Sequence, residues 1–173
     1  MNARAEKSIP VKVITVTAMF TAINVVLSSF GVPVPGGHLY LNDIIICTAA
    51  LLLDPLPAFV AGGIGAFFGD FFFYPAPMFV SLVTHGLQAV VISMISHRKG
   101  EQPKMAPSVI AVMIGALIMV AGYSFGRAYI YSTPEYALLK LPFQFLQAGV
   151  GAAASIIIVF HLKIKDIYSK LGR

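Results

Sequence analysis

Residues 108–131 read SVIAVMIGALIMVAGYSFGRAYIY, with no charged side chain before Arg127. An α-helix rises about 1.5 Å per residue and a bilayer's hydrocarbon core is about 30 Å thick, so roughly 20 such residues cross it. Ser108 to Tyr131 is therefore a membrane span, and Leu138 to Leu162 qualifies in the same way. Outward from these, Val13 to Phe30 and Met78 to Ser96 are expected spans. Leu41 to Leu53 and Ala58 to Phe73 are shorter apolar runs joined by Asp54-Pro55-Leu56-Pro57, a helix-stopping turn because proline lacks the amide hydrogen. These two runs form either two tilted spans or one re-entrant hairpin. The expected architecture is an all-α integral membrane protein of six transmembrane helices. It is a single membrane domain over residues 1–173, with an N-terminal segment 1–12, a six-helix bundle 13–162 and a basic tail 163–173.

Ten of the twelve Lys and Arg residues sit at three places between the apolar runs. Arg4, Lys7 and Lys12 precede the first run, Arg98, Lys99 and Lys104 interrupt the middle, and Lys163, Lys165, Lys170 and Arg173 close the chain. With six spans these three places share one face, which the positive-inside rule makes cytoplasmic, both termini included. The composition agrees, at 58% hydrophobic and 11% charged residues. Soluble domains average near 45–50% and roughly 25%. The basic residues border apolar runs instead of interleaving with aromatics on a polar face, which argues against a nucleic-acid partner and for membrane lipids. Cys47 is alone, so no intrachain disulfide forms, and it reads as a small buried hydrophobe. No small-residue cleavage site follows the first run before the Gly31 to Gly37 loop, so that helix is expected to remain.

Ionisable and polar residues at membrane depth are costly, and each is a functional hypothesis. Asp43, Asp70, His85, Gln88, Arg127, Gln144 and Gln147 are all expected toward the outer leaflet. His85 with Gln88, and Gln144 with Gln147, lie three apart and share a helix face, so each pair can address one cavity. Structural roles compete with this reading. Arg127 can snorkel to headgroups, Asp43 can cap its helix, and His85 and the glutamines can serve as interhelical hydrogen-bond partners. Lys140 and Arg127 are the basic exceptions on the outer side, with Arg127 expected the deeper. Tyr40, Tyr74, Tyr129, Tyr131 and Tyr136 cluster there too, as an aromatic belt or a ligand mouth. No zincin, nucleophile-elbow or phosphate-loop motif occurs, so no enzyme, no metal site and no cofactor is expected. Small residues at helical spacing, Ala18 and Ala22 on the first span and Ala58, Gly62, Gly65 and Gly69 on the third, offer close-approach partner surfaces. Gly122 and Gly126 are expected to serve internal packing.

Four segments resemble the substrate-binding (S) components of energy-coupling factor (ECF) vitamin transporters, closest to the riboflavin-transporter-type branch. They are Gly36-Gly37-His38-Leu39-Tyr40-Leu41-Asn42-Asp43, the run from Leu53-Asp54-Pro55 through Gly62-Gly63-Ile64-Gly65 to Gly69-Asp70, Thr84-His85-Gly86-Leu87-Gln88, and Leu141-Pro142 through Gln147. The resemblance extends from about Val13 to Leu162. It implies a subunit that binds a vitamin outside and docks on a membrane scaffold (T) subunit with two cytoplasmic ATPases, toppling in the membrane to deliver its cargo. It also implies that Ala18 and Ala22 touch the scaffold, that the loop around Gly36 to Tyr40 is a lid, and that helices four to six wall the pocket. The chain departs from the family at His85, where a lysine is frequent, and near Gln88, where an acid is.

The candidate ligand contacts are His38, Tyr40, Asn42, Asp43, His85, Gln88, Tyr123, Arg127, Gln144 and Gln147. Their hydrogen-bonding groups, in a chain without tryptophan, favour a small hydroxylated heteroaromatic of the pyridoxine or hydroxymethylpyrimidine type. Arg127 keeps pantothenate in view, and the branch resemblance keeps riboflavin. A stand-alone channel or facilitator is the rival from another class.

Overall fold

The computed structural model describes residues 10–97 and 102–170. Arg4, Lys7, Arg98, Lys99 and Arg173 of the charge pattern lie outside the described residues. Helix α1 is Val11–Leu27. A hairpin of β1, Val32–Val34, and β2, Gly37–Leu39, leads into α2, Asn42–Leu52. The chain continues with α3, Pro55–Phe73, α4, Met78–Ser96, α5, Met105–Tyr131, and α6, Pro134–His161. A short α7, Ile164–Lys170, follows.

Helices α3 to α6 are 19, 19, 27 and 28 residues long and apolar enough to cross a membrane. Helices α1 and α2 are shorter, at 17 and 11 residues. The outward faces are oily, with Phe72, Phe79, Val83, Leu117 and Leu146 all exposed. In a chain of this composition such faces meet lipid. Helix α2 is the centre of the bundle. Ile46, Cys47, Ala49, Ala50 and Leu51 are all buried, with α4, α6 and α1 packed round it. A helix enclosed by protein on every side has its ends satisfied by protein, so 11 residues suffice.

The prolines after α2 start a helix instead of ending one. Leu53 is extended, Asp54 is the N-cap residue, and Pro55 occupies the first helical turn, where its missing amide hydrogen leaves no orphan donor. Ser93 Oγ of α4 donates to the Leu53 carbonyl at 2.6 Å and so satisfies the end of α2. Within α3 the helix widens to a π turn over Val60–Ile64. Asn24 of α1, fully buried, donates to the carbonyls of Ala61 at 2.9 Å and Gly62 at 3.2 Å in that turn.

The glycines of α3 face inward. A Cβ on Gly65 would meet Asn24, one on Gly69 would meet Ser28, and ones on Gly62 and Gly63 would meet Ala89 and Gly86 of α4. These positions let α1 and α4 approach α3, which corrects the expectation that the row offers an outside partner surface. Ala18 and Ala22, by contrast, lie on an exposed face of α1.

The two ends of the bundle differ in character. At one end the Lys12 ammonium sits 4.1 Å from the Tyr168 ring centroid, and Tyr168 of α7 packs against the core. Residues 164–170, expected as tail, are thus a helix folded back on the bundle. The other end carries the hairpin. Its β1 and β2 pair antiparallel with Val34 opposite Gly37, leaving Pro35 and Gly36 as the turn. Proline presets the first corner and Gly36, at φ +81°, takes the left-handed second corner of such a turn.

Candidate functional site

Under the hairpin lies a cavity of about 50 Å³. Its walls come from every layer at this end: His38 and Tyr40 from the hairpin and its exit, Asn42 of α2, Asp70 of α3, His85 of α4, Tyr123, Arg127 and Tyr131 of α5, and Lys140, Gln144 and Gln147 of α6. One π turn and one proline shape these walls. Arg127–Tyr131 ends α5 as a wide turn, and Pro142 interrupts the backbone ladder of α6 between Lys140 and Gln144.

The hairpin is latched by cations on two helices. Arg127 Nη1 donates to the Gly36 carbonyl at 2.7 Å, and Lys140 Nζ donates to the His38 carbonyl. Arg127 therefore turns to the hairpin rather than snorkelling, with its guanidinium 5.2 Å from the Tyr131 ring centroid. Lys140 is the more buried of the two cations, at 2% exposure. The turn sits so close to α6 that a Cβ on Gly36 would come within 2.8 Å of the Lys140 backbone nitrogen.

Asp43 organises the polar floor. It is 1% exposed and does not line the cavity; both its oxygens are engaged inside the protein. Gln88 Nε2 donates to Oδ1 at 3.1 Å and Gln147 Nε2 donates to Oδ2 at 2.7 Å. Asp43 thus makes no cap bond to its own helix, whose N-cap residue is Leu41. A carboxylate only accepts, so both glutamines must turn their NH₂ groups toward it and their carbonyl oxygens away. The Gln147 oxygen accepts from the Tyr40 backbone amide at 3.1 Å. The Gln88 oxygen lies 2.7 Å from His85 Nδ1, so His85 must donate from Nδ1. In the neutral ring this leaves Nε2 as an acceptor.

A second chain of contacts joins the same histidine. Ser81 Oγ donates to the Asp70 carboxylate and shares a short hydrogen bond with the Tyr123 hydroxyl. The Tyr123 ring stands at 60° to His85, with centroids 5.2 Å apart. At the mouth, His38 lies 6.2 Å from Tyr40 and 6.5 Å from Tyr74 by ring centroid. Burial pushes the Tyr40 phenol above its usual 10, with the Asp70 charge adding, so it stays a protonated donor.

The structure thus brings His38, Tyr40, Asn42, His85, Tyr123, Arg127, Gln144 and Gln147 to one cavity, and sets Asp43 and Gln88 behind its wall as orienting groups. Asp70, Tyr74, Tyr131 and Lys140 line it as well. Each of these was visible in the sequence as a polar or aromatic residue near an outer helix end. Depth along a helix gives the leaflet, however, and not the face.

A family model described as "ECF-type riboflavin transporter, S component" matches residues 8–168. A protein of Pyrococcus woesei, described as an uncharacterized protein in the gap 3' region, is 29% identical over 132 residues. That alignment covers 75% of this chain and 86% of the other.

Proposed function

We propose that this chain, which belongs to the ECF-type riboflavin transporter S component family, binds its vitamin in the hairpin-capped cavity and releases it through a scaffold subunit driven by two ATPases. It is a membrane-embedded transporter component, and ATP hydrolysis belongs to the partners in this reading. The observation that carries it is the cavity itself: polar groups from five helices converge beneath a hairpin latched by the Arg127 and Lys140 side chains. Ligand pockets for molecules of drug size run to about 300–1,000 Å³, so a cavity of about 50 Å³ is a contracted form that must widen to load. In this reading the hairpin is the part that moves, because its latches at Gly36 and His38 are single side-chain bonds to carbonyls.

The proposed ligand is riboflavin or a ring system close to it. The family's description supports it over the pyridoxine or hydroxymethylpyrimidine ligand that the polar residues alone favour. The tyrosines at 40, 74, 123 and 131 and the histidines at 38 and 85 supply flat surfaces for a large ring without tryptophan. Arg127, the residue that keeps a carboxylate-bearing vitamin such as pantothenate in view, is engaged with the Gly36 carbonyl.

In the same reading the six helices α1 to α6 are the membrane spans, with both termini cytoplasmic. Supporting this, Asp54 between α2 and α3 acts electrostatically on His97 at the end of α4 and on Tyr168 of α7, so α2 and α3 run between the two ends. The basic residues Lys12, Lys163, Lys165 and Lys170 gather at the α7 end, while Arg127 and Lys140 at the hairpin end are turned inward. The exposed pair Ala18 and Ala22 is the proposed scaffold contact.

Two measurements test the reading. Purified chain in detergent should quench riboflavin fluorescence at a stoichiometry of one, and tagged chain should copurify with a membrane scaffold and two ATPases. Binding of pyridoxine or hydroxymethylpyrimidine with no riboflavin binding would overturn the ligand. Sustained uptake by this chain alone in ATP-free vesicles would favour a facilitator instead.

A further inference from the structure

On α6, Lys140, Gln144 and Gln147 fall on one face at spacings of four and three. The outer two are committed: Lys140 holds the His38 carbonyl, and Gln147 is fixed between Asp43 and the Tyr40 amide. Gln144 between them is 2% exposed and lines the cavity, yet among the described residues neither Nε2 nor Oε1 has a hydrogen-bond partner. Three further groups on the same walls, Asn42 Oδ1, Arg127 Nε and the Tyr131 hydroxyl, are also buried and unpaired among the described residues. Buried polar groups are nearly always paired, and an unpaired one is costly, so a side chain with both ends open needs an explanation.

A primary amide presents an N–H donor and a carbonyl acceptor side by side in one plane. Its complement is a ring edge carrying an acceptor next to a donor. We infer that Gln144 is the residue that reads the ligand's ring, pairing in plane with such an edge. A lactam or imide, C=O beside N–H, has this edge, and so does an aminopyrimidine, ring N beside N–H. Asn42 Oδ1 then accepts from a further N–H or O–H of the same ligand. This inference rests on the cavity being the vitamin site.

The test uses the full chain, purified in detergent, with riboflavin and N3-methylriboflavin as flavin probes and 4-amino-5-hydroxymethyl-2-methylpyrimidine as the aminopyrimidine probe. Loss of two neutral hydrogen bonds should weaken riboflavin binding about 10- to 100-fold in Gln144→Leu. Wild-type chain should discriminate against N3-methylriboflavin, whose edge lacks the donor, by a similar factor; this arm needs no variant to fold. The ligand-free Gln144→Leu chain should melt no lower than wild type, because the substitution removes an unpaired amide. A lower ligand-free melting temperature would make Gln144 structural and overturn the inference. Riboflavin binding that is equal in wild type and variant, or equal for the methylated probe, overturns it while the flavin reading stands. Binding of the aminopyrimidine alone, again lost in Gln144→Leu, overturns the flavin reading and supports the edge. Binding of none of the probes overturns both.

Discussion

Replacing Asp43 by asparagine should reverse the hydrogen-bonding sense of His85, because the network leaves the new amide one way to settle. Wild-type Asp43 accepts from Gln88 at 3.1 Å and Gln147 at 2.7 Å. Asparagine offers one oxygen and one NH₂, so one of the two glutamines must turn over. Gln147 is pinned, since its oxygen accepts from the Tyr40 backbone amide, a donor that cannot become an acceptor. Gln88 is free to turn if His85 exchanges tautomers, moving its proton from Nδ1 to Nε2. Two bonds to a charged acceptor, each worth roughly 1.5–3 kcal/mol, become two neutral bonds worth roughly 0.5–1.5 each. The net loss is about 2–3 kcal/mol, which for a chain of this length lowers the melting temperature by about 4–12 °C. The assay is thermal melting in detergent combined with ¹⁵N NMR of labelled histidine, in which the two tautomers have separate nitrogen shifts. A variant that melts within a degree of wild type, or whose His85 keeps its proton on Nδ1, would refute the network as drawn.

Four other outcomes follow. Replacing Arg127 or Lys140 by methionine removes one latch of the hairpin and should speed both association and dissociation of riboflavin by about 10- to 100-fold in stopped-flow fluorescence, since one bond to a charged group is lost. Ala18→Trp with Ala22→Trp should abolish uptake in cells while leaving riboflavin binding by the purified chain intact; loss of both would place those residues in the fold. Gly151→Ala puts a Cβ 2.6 Å from that of Asp43 and should cost about 1–3 kcal/mol in a melting experiment, with weaker binding as Asp43 is displaced. Burial holds the His97 imidazole below its usual 6.5, against the nearby Asp54 charge, so the folded chain favours the neutral ring. That stability is fully present above about pH 6.5 and is lost as pH falls through the lower folded value. His97→Gln should flatten melting temperature against pH in that window.

The four long apolar helices were legible because hydropathy over 20 residues needs no knowledge of neighbours. Met78–Ser96 is found as expected, and the other boundaries move by a few residues. What periodicity could not show was what each short element does. The strands Val32–Val34 and Gly37–Leu39 are three residues each, too short for an alternating pattern, so a loop was expected where a hairpin forms. Asp54-Pro55-Leu56-Pro57 contains the right break but puts it one step late, because proline is a helix stop in the interior and a helix start in the first turn. Asn24 was missed altogether. A lone asparagine in an apolar span was the available signal, and its partners, the Ala61 and Gly62 carbonyls, lie 37 and 38 residues away.

The two basic exceptions to the charge pattern show why the site was only half legible. Helix α6 begins at Pro134, four residues before the apolar run, so Lys140 stands in its second turn rather than at its mouth, and there it is buried. Arg127 falls where α5 widens into a π turn, which re-aims it at the hairpin. Both cations then bind backbone carbonyls rather than carboxylates. That choice has a mechanical consequence. A buried ion pair, once made, is costly to break because it leaves two unpaired charges. A cation on a carbonyl leaves only one when it opens, and water or a ligand oxygen can take the carbonyl's place. In the proposed lid role, these two latches of roughly 1.5–3 kcal/mol each favour the closed hairpin while leaving its carbonyls open to competition from water or ligand. In the proposed function loading then needs no energy source, and the ATPases of the proposed complex are left to drive release.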